Sequence, residues 1–246
     1  MRLSILLFTL IPYLSVHSQN KINSDRPDQT EGTHAIQPRE LQIEADFYYN
    51  YFEKEKSALI SSSLIRLGLM EKAEFRLVVE EGRQRDAFIE TTQGVYPLSA
   101  GTKVELIKEH AWIPNISGLA YLQLPFTSKS EENKLRWSPA FVLATEYDVD
   151  KLSIDVNVGV KWGAFEPAKA LMASSSFRYE WSEKLQSFIE YYAQFSLQSH
   201  PMHNSDLGVM YLFSDQFQMS LSFGTSLYAE EYNGFAMVGT ALRLPH

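Results

Sequence analysis

From about residue 39 to the end, apolar and polar residues alternate along this chain with a period of two. In "KLSIDVNVGVKW", Leu152, Ile154, Val156, Val158, Val160 and Trp162 fall on one side, and Ser153, Asp155, Asn157, Gly159 and Lys161 fall on the other. Side chains alternate faces along a β-strand, so such a segment has one apolar and one polar wall. "KLQSFIEYYAQFSLQ" repeats the pattern, with Leu185, Ile189, Tyr191, Ala193, Phe195 and Leu197 opposed to Gln186, Glu190, Gln194 and Gln198. The same test predicts strands over 39–53, 57–70, 73–81, 99–109, 114–124, 136–147, 151–162, 169–181, 184–198, 203–213, 216–227 and 234–244. That makes about twelve strands, each near the ~9–11 residues a tilted strand needs to cross a bilayer.

The links between these strands come in two lengths. Glu71-Lys72, "DVD" (148–150), Ser182-Glu183 and Ser214-Asp215 are tight turns, whereas "EGRQRDAFIETTQGVYP" (81–97) and "PFTSKSEENKL" (125–135) are long and polar. Short turns at one end and long loops at the other are the habit of outer-membrane barrels; a soluble sandwich has no reason to sort its loops. In hydrocarbon every backbone N–H and C=O needs a partner, so a spanning sheet must close on itself. The fold class expected is all-β, a transmembrane antiparallel β-barrel of about twelve strands. Tyr49, Tyr51, Trp112, Trp137, Tyr147, Trp162, Tyr179, Trp181 and Tyr228 fall near predicted strand ends, where amphipathic rings suit the headgroup level of a bilayer. The alternative source of such aromatics is an ordinary sandwich core.

Ahead of the strands, Met1-Arg2, the apolar run "LSILLFTLIPYL" and the polar "SVHSQN" follow the order of a secretory signal peptide cut near Ser18 or Gln19. The run is shorter than the ~20 residues of a spanning helix. The organisation expected is a signal peptide over 1–19, a periplasmic N-terminal segment over 20–38 and the barrel over 39–246, in the outer membrane of a Gram-negative bacterium. An even strand count returns both termini to the periplasmic side, with the N-terminal segment below or inside the pore. The chain has no cysteine, so a closed hydrogen-bonded sheet rather than disulfides must hold it together. A formal net charge of −8 without a Lys/Arg cluster argues against nucleic acid as a partner.

If the apolar face meets lipid, the other face lines a lumen. By parity the inward set, and the candidate solute path, comprises Glu44, Asp46, Arg66, Glu74, Arg76, Glu80, Lys103 and Glu105, then Asp155, Lys161, Arg178, Glu180, Glu190 and Arg243. Charges of both signs at this density predict a wet, ion-paired interior rather than a greasy tunnel; they serve either a solute path or the bracing of a narrow barrel. The N-terminal "SDRPDQTEG" gathers Asp25, Arg26, Pro27, Asp28 and Glu31. Its carboxylates are expected to bond to backbone amides or to Arg26, with the segment acting as a leader into the strand at Leu41 or as a partial plug. Calcium bound through those oxygens is a weaker reading, because the spacing of an EF-hand is missing. No cofactor and no metal site is expected, since zinc needs three or four convergent ligands and the histidines are scattered.

"DRPDQTEG" ahead of a long first strand resembles the start of a family of bacterial outer-membrane proteins named for the MetA pathway of phenol degradation. "LIRLGLMEKAEFRLVVE" and "LSAGTKVELIKEHAWIPNISGLAYLQLP" are similar to two further stretches of that family. The resemblance runs from about residue 22 to the C-terminus, by motif at first and by alternation alone in the last third. It implies an outer-membrane barrel that passes small organic compounds, with no agreed substrate residues to carry over. Barrels of this kind usually end in an aromatic residue that signals assembly, whereas "ALRLPH" places Leu244 there.

Three functions stay open at this point. The first is a passive, porin-like channel for small organic compounds, aromatic ones among them, whose partners are outer-membrane lipid, the solute and the barrel-assembly machinery. The second is a hydrolase: "SHPMHNSDLG" sets His203 and Ser205 on one strand face, a spacing similar to that of outer-membrane phospholipases, but their pattern breaks after the serine. The third is a structural barrel without transport. The expectation is the channel, not an enzyme.

Overall fold

A computed structural model describes residues 21–52, 56–85, 92–95, 97–110, 112–127, 136–163, 168–196, 200–228 and 233–244. The expected signal peptide, the middle of the 81–97 link and most of the 125–135 link lie outside the described residues. The strands are β1 Leu41–Phe52, β2 Lys56–Met70, β3 Ala73–Arg85, β4 Thr92–Val95, β5 Ser99–Ile107, β6 Asn115–Gln123, β7 Ser138–Val149, β8 Leu152–Trp162, β9 Lys169–Ser182, β10 Leu185–Ser196, β11 Met202–Ser214, β12 Phe217–Leu227 and β13 Asn233–Leu244.

The strands pair antiparallel round the ring in chain order, except that β4 and β5 both pair with β3 and not with each other, and β1 pairs with both β2 and β13, so the sheet closes. β3 is longer than its alternation indicated: Ala73–Val78 pair with β5, and Glu81–Gln84 pair with β4. β4 and β5 are therefore two pieces of one position in the ring, parted around Pro97, which has no N–H to give a ladder. Counted this way the barrel has 12 strands.

The two walls separate as the alternation requires. Phe47, Leu59, Leu106, Val158, Leu171, Ile189, Leu207, Phe223 and Val238 are all exposed on the outside. An apolar surface of that extent is untenable in water and is what a lipid-facing band demands. Aromatic rings gather at its two rims. Tyr179 packs edge-on against Trp181, and Tyr211 against Phe213, near the tight turns, while Phe141 meets Trp162 near the long loops.

Residues 21–40 lie inside this ring. The Ile22 N–H donates to the Asp215 carbonyl (2.8 Å) at the short-turn end, and the Ile22 side chain is buried with Leu212 and Ala241. The chain climbs into the lumen, turns, and leaves by the same end beside Gly68. There the Gly68 N–H donates to the Glu40 carbonyl (3.0 Å) and the Arg39 N–H to the Gly68 carbonyl (2.9 Å). A Cβ on Gly68 would stand 1.8 Å from the Gln37 carbonyl oxygen, so the returning strand of the plug needs glycine at this point of the wall.

Candidate functional site

A segment that enters a barrel without joining its sheet carries backbone donors that have no ladder partner, and buried donors must be satisfied. Glutamates of the wall supply the acceptors. Arg26 N–H donates to Glu44 (3.0 Å), Gln29 N–H to Glu190 (2.8 Å), Thr33 N–H to Glu146 (3.1 Å), Ala35 N–H to Glu105 (2.8 Å) and Ile36 N–H to Glu74 (2.8 Å). The Thr30 hydroxyl donates to Glu190 as well, and the Ser117 hydroxyl donates to the Thr33 carbonyl (2.5 Å). Six strands of the ring (β1, β3, β5, β6, β7 and β10) thus hold the plug through its main chain.

The side chains of "SDRPDQTEG" bind the wall in the opposite sense. Asp25 Oδ2 lies 2.5 Å from Arg76 Nη1, 2.6 Å from Lys103 Nζ and 3.5 Å from Arg66 Nη1. Asp28 pairs with Arg178 at 3.0 Å and accepts from the Ser176 hydroxyl at 3.0 Å. Glu31 pairs with Arg76 at 2.7 Å and accepts from the Tyr121 hydroxyl at 2.8 Å. Arg26 faces Asp46 at 3.6 Å, and the Arg26–Pro27 peptide that follows is cis. The expected partners, backbone amides and Arg26, are therefore corrected: among the described residues only the Gly32 N–H reaches Asp25 (3.2 Å), and the carboxylates belong to wall cations. Carboxylates already matched by guanidinium and ammonium groups also leave no role for calcium there.

The wall cations are held by wall carboxylates in turn. Arg66 grips Glu74 with two parallel bonds (2.9 and 3.0 Å) and reaches Glu44 (3.0 Å), while Arg76 reaches Glu74 (2.8 Å). Arg243 donates to Gln42 (3.1 Å), which donates to Glu44 (2.7 Å). Burial alone would push the Asp25 carboxyl up, but Arg66, Lys103 and Arg76 outweigh it and hold the group well below the usual carboxylate range. His34 is raised above the ordinary histidine value by its hydrogen bond to Glu146, against its partial burial, with the Glu146 and Glu105 charges adding to the rise. Its ring nitrogens lie 3.5 Å from Glu146 and 3.9 Å from Glu105, so a protonated His34 bridges β5 and β7.

Towards the long loops the lumen changes character. A cavity of about 330 Å³ opens there, floored by Gln29 and Glu31 of the plug. Tyr121, Val142, Met172 and Tyr192 line it, with Asn157, Lys161, Ser174 and Asn204 as polar members. Further round the same half of the wall, Tyr48 packs edge-on against Phe235, with ring centroids 5.7 Å apart. At the short-turn end lie two other cavities of about 550 and 390 Å³, bordered by Asn23, His34, Glu105, Arg178 and Glu180 among others; neither shares a lining residue with the first. The N-terminal segment stands between them.

The parity reading places every residue of the inward set on the lumen wall. Glu44, Asp46, Arg66, Glu74, Arg76, Lys103, Asp155, Glu190 and Arg243 are buried there. Glu105 binds the plug, Glu80 accepts from the Ser62 hydroxyl (3.3 Å), Glu180 borders a short-turn cavity, and Lys161 borders the long-loop cavity. Among the described residues the expected ion pairing is concentrated in the short-turn half. Glu146, Tyr121, Ser176 and Tyr192 escaped the sequence reading. Glu146 shares its face with Ala140, Val142 and Ala144, so that face of β7 did not read as polar; Tyr121 and Tyr192 were indistinguishable from lipid-facing aromatics.

His203 and Ser205 lie on the outer face and are otherwise engaged. The His203 Nδ1 and the Tyr191 hydroxyl are 2.6 Å apart, and the Ser205 hydroxyl donates to the Glu190 carbonyl (2.8 Å).

A closed antiparallel ring with an apolar exterior, aromatic rims and a polar lumen defines a β-barrel of the outer-membrane type. Residues 24–244 match the family described as "Putative MetA-pathway of phenol degradation", and the chain belongs to that family. Among solved structures it is similar to the COG4313 outer membrane channel from Pseudomonas putida F1, at 12% identity over 89% of this chain and 99% of that one, with a TM-score of 0.69. The NanC porin matches at 7% identity over 82% of this chain and 100% of that one (TM-score 0.59). The translocator domain of the autotransporter NalP from Neisseria meningitidis matches at 12% identity over 83% of this chain and 88% of that one (TM-score 0.57). No curated protein sequence matches the chain.

Proposed function

We propose that this barrel is a non-catalytic, passive channel of the outer membrane for small organic compounds, aromatic ones among them. The observation that carries this reading is the cavity of about 330 Å³ on the long-loop side, walled by Tyr121, Tyr192, Met172 and Val142 and floored by the plug. A concave, largely apolar site with a few converging polar groups is what a small organic ligand needs. The structural likeness to a channel and to a porin and the family's description agree with it. The short-turn end faces the periplasm, so solute arrives from the long-loop side and must pass residues 25–33. Lys103, Arg66 and the other wall charges listed by parity then act chiefly on the plug, and Lys161, Glu80 and Glu180 remain for the solute path. Reconstituted in liposomes, the protein should admit small neutral and aromatic solutes in a swelling assay, and a strain lacking it should take them up more slowly. Unchanged entry of every solute tested sinks the channel reading and favours a structural barrel.

A further inference from the structure

Among the polar groups of the long-loop cavity that have no partner among the described residues are Lys161 and Asn157. Lys161 forms no hydrogen bond or ion pair among the described residues, and Glu80, the carboxylate whose charge bears on it, is beyond ion-pair distance. Asn157 is 5% exposed, and its Oδ1 meets no donor. An unmatched amide oxygen in a closed wall costs free energy until a donor reaches it. Both residues are on β8, four positions apart on one face, about 13 Å along the strand. Lys161 has a long flexible stem, so its ammonium can swing over the intervening Gly159 towards the space beside Met172. The other charge at the cavity, Glu31, is already neutralised by Arg76 (2.7 Å) and by the Tyr121 hydroxyl. Among the described residues the space thus offers a cation and an acceptor without partners, and aromatic walls.

We infer that this cavity is a binding site for a monocyclic aromatic acid that also carries a hydroxyl group. The carboxylate pairs with Lys161, the hydroxyl donates to Asn157 Oδ1, and the ring packs among Tyr121, Tyr192 and Met172. Neither a plain phenol nor a plain aromatic acid satisfies both groups. This assignment rests on the channel reading and adds the solute class to it. The volume of about 330 Å³ sits at the small end of ligand sites, as a single ring requires.

Calorimetric titration of the full folded chain in detergent, with 4-hydroxybenzoate, benzoate and phenol as probes, tests it. The expected result is 4-hydroxybenzoate bound at least about tenfold more tightly than phenol, which lacks the bond to a charged group, and at least about threefold more tightly than benzoate, which lacks only the neutral bond to Asn157. Lys161→Met should erase the advantage over phenol, Lys161→Arg should retain it, and Asn157→Leu should erase the advantage over benzoate. Heat-modifiable migration on a gel reports that each variant is folded. Equal affinity for the three probes, no saturable binding, or a Lys161→Met variant that still prefers the acid overturns the inference. A barrel that swells liposomes but does not discriminate these probes keeps its channel and loses this site; one that discriminates them but passes no solute keeps the site and loses the channel.

Discussion

In the short-turn half of the lumen, Asp25 meets Arg76, Lys103 and Arg66 within 3.5 Å, and both arginines also pair with Glu74. In the long-loop half, Lys161 stands among Tyr121, Tyr192 and Met172 without a partner among the described residues. Both halves come from the same inward positions of the same strands. The difference teaches that charge on a lumen wall has no fixed meaning: below, it is spent on holding a segment of the chain itself, and above, it is left for something from outside. A buried ion pair gains little over a well-packed apolar pair, but removing one partner strands the other at a cost of ~3–5 kcal/mol. In the lower half Asp25 holds three cations at once, and Arg66 and Arg76 each hold more than one carboxylate.

The comparison breaks most readily at Asp25. Asp25→Asn should strand Lys103 and take one of three carboxylates from Arg76, weaken plug docking by about 3–5 kcal/mol and raise single-channel conductance, with residues 21–36 becoming open to protease. Gly68→Val is next: its side chain overlaps the Gln37 carbonyl oxygen, and strain of about 1–3 kcal/mol should displace the returning limb of the plug, seen as faster amide exchange over residues 34–40.

A smaller effect is expected from pH. His34 has a raised folded value, so its contribution is complete below the ordinary histidine value of ~6.5 and is lost as pH rises through the folded one. Conductance should climb over that range above ~6.5, and His34→Gln should flatten the profile. Asp25 works the other way: its depressed value keeps the docking charge until pH falls well under the usual ~3.9. Tyr192→Ala should leave the protease protection of the plug within about 0.5 kcal/mol of wild type while changing which solutes pass. Equal loosening of the plug by Tyr192→Ala and Asp25→Asn would mean that the two halves are not distinct.

Much of the barrel was legible because a strand with one lipid face and one wet face must alternate. Leu152 to Trp162 shows the rule without exception. β4 was not legible, since Thr92–Val95 pairs only with the far end of β3 and carries no alternation long enough to notice. The inward charges were legible by parity, and what they bind was not. The three carboxylates and the arginine of "SDRPDQTEG" were legible as a cluster, but the cations those carboxylates bind were not. The segment's partners on the wall come from strands 18 to 194 residues away, and no local pattern announces them. Glu146 shows the converse, a charged residue following Ala140, Val142 and Ala144 on its face that turns out to anchor both Thr33 and His34.

The most direct test of a lumen divided by its own N-terminal segment is single-channel recording of the whole chain beside a variant lacking residues 24–36, both verified as folded barrels. A small or silent wild-type conductance and a large, steady one for the deletion is the predicted outcome. Equal conductances in the two would show that the segment does not close the pore.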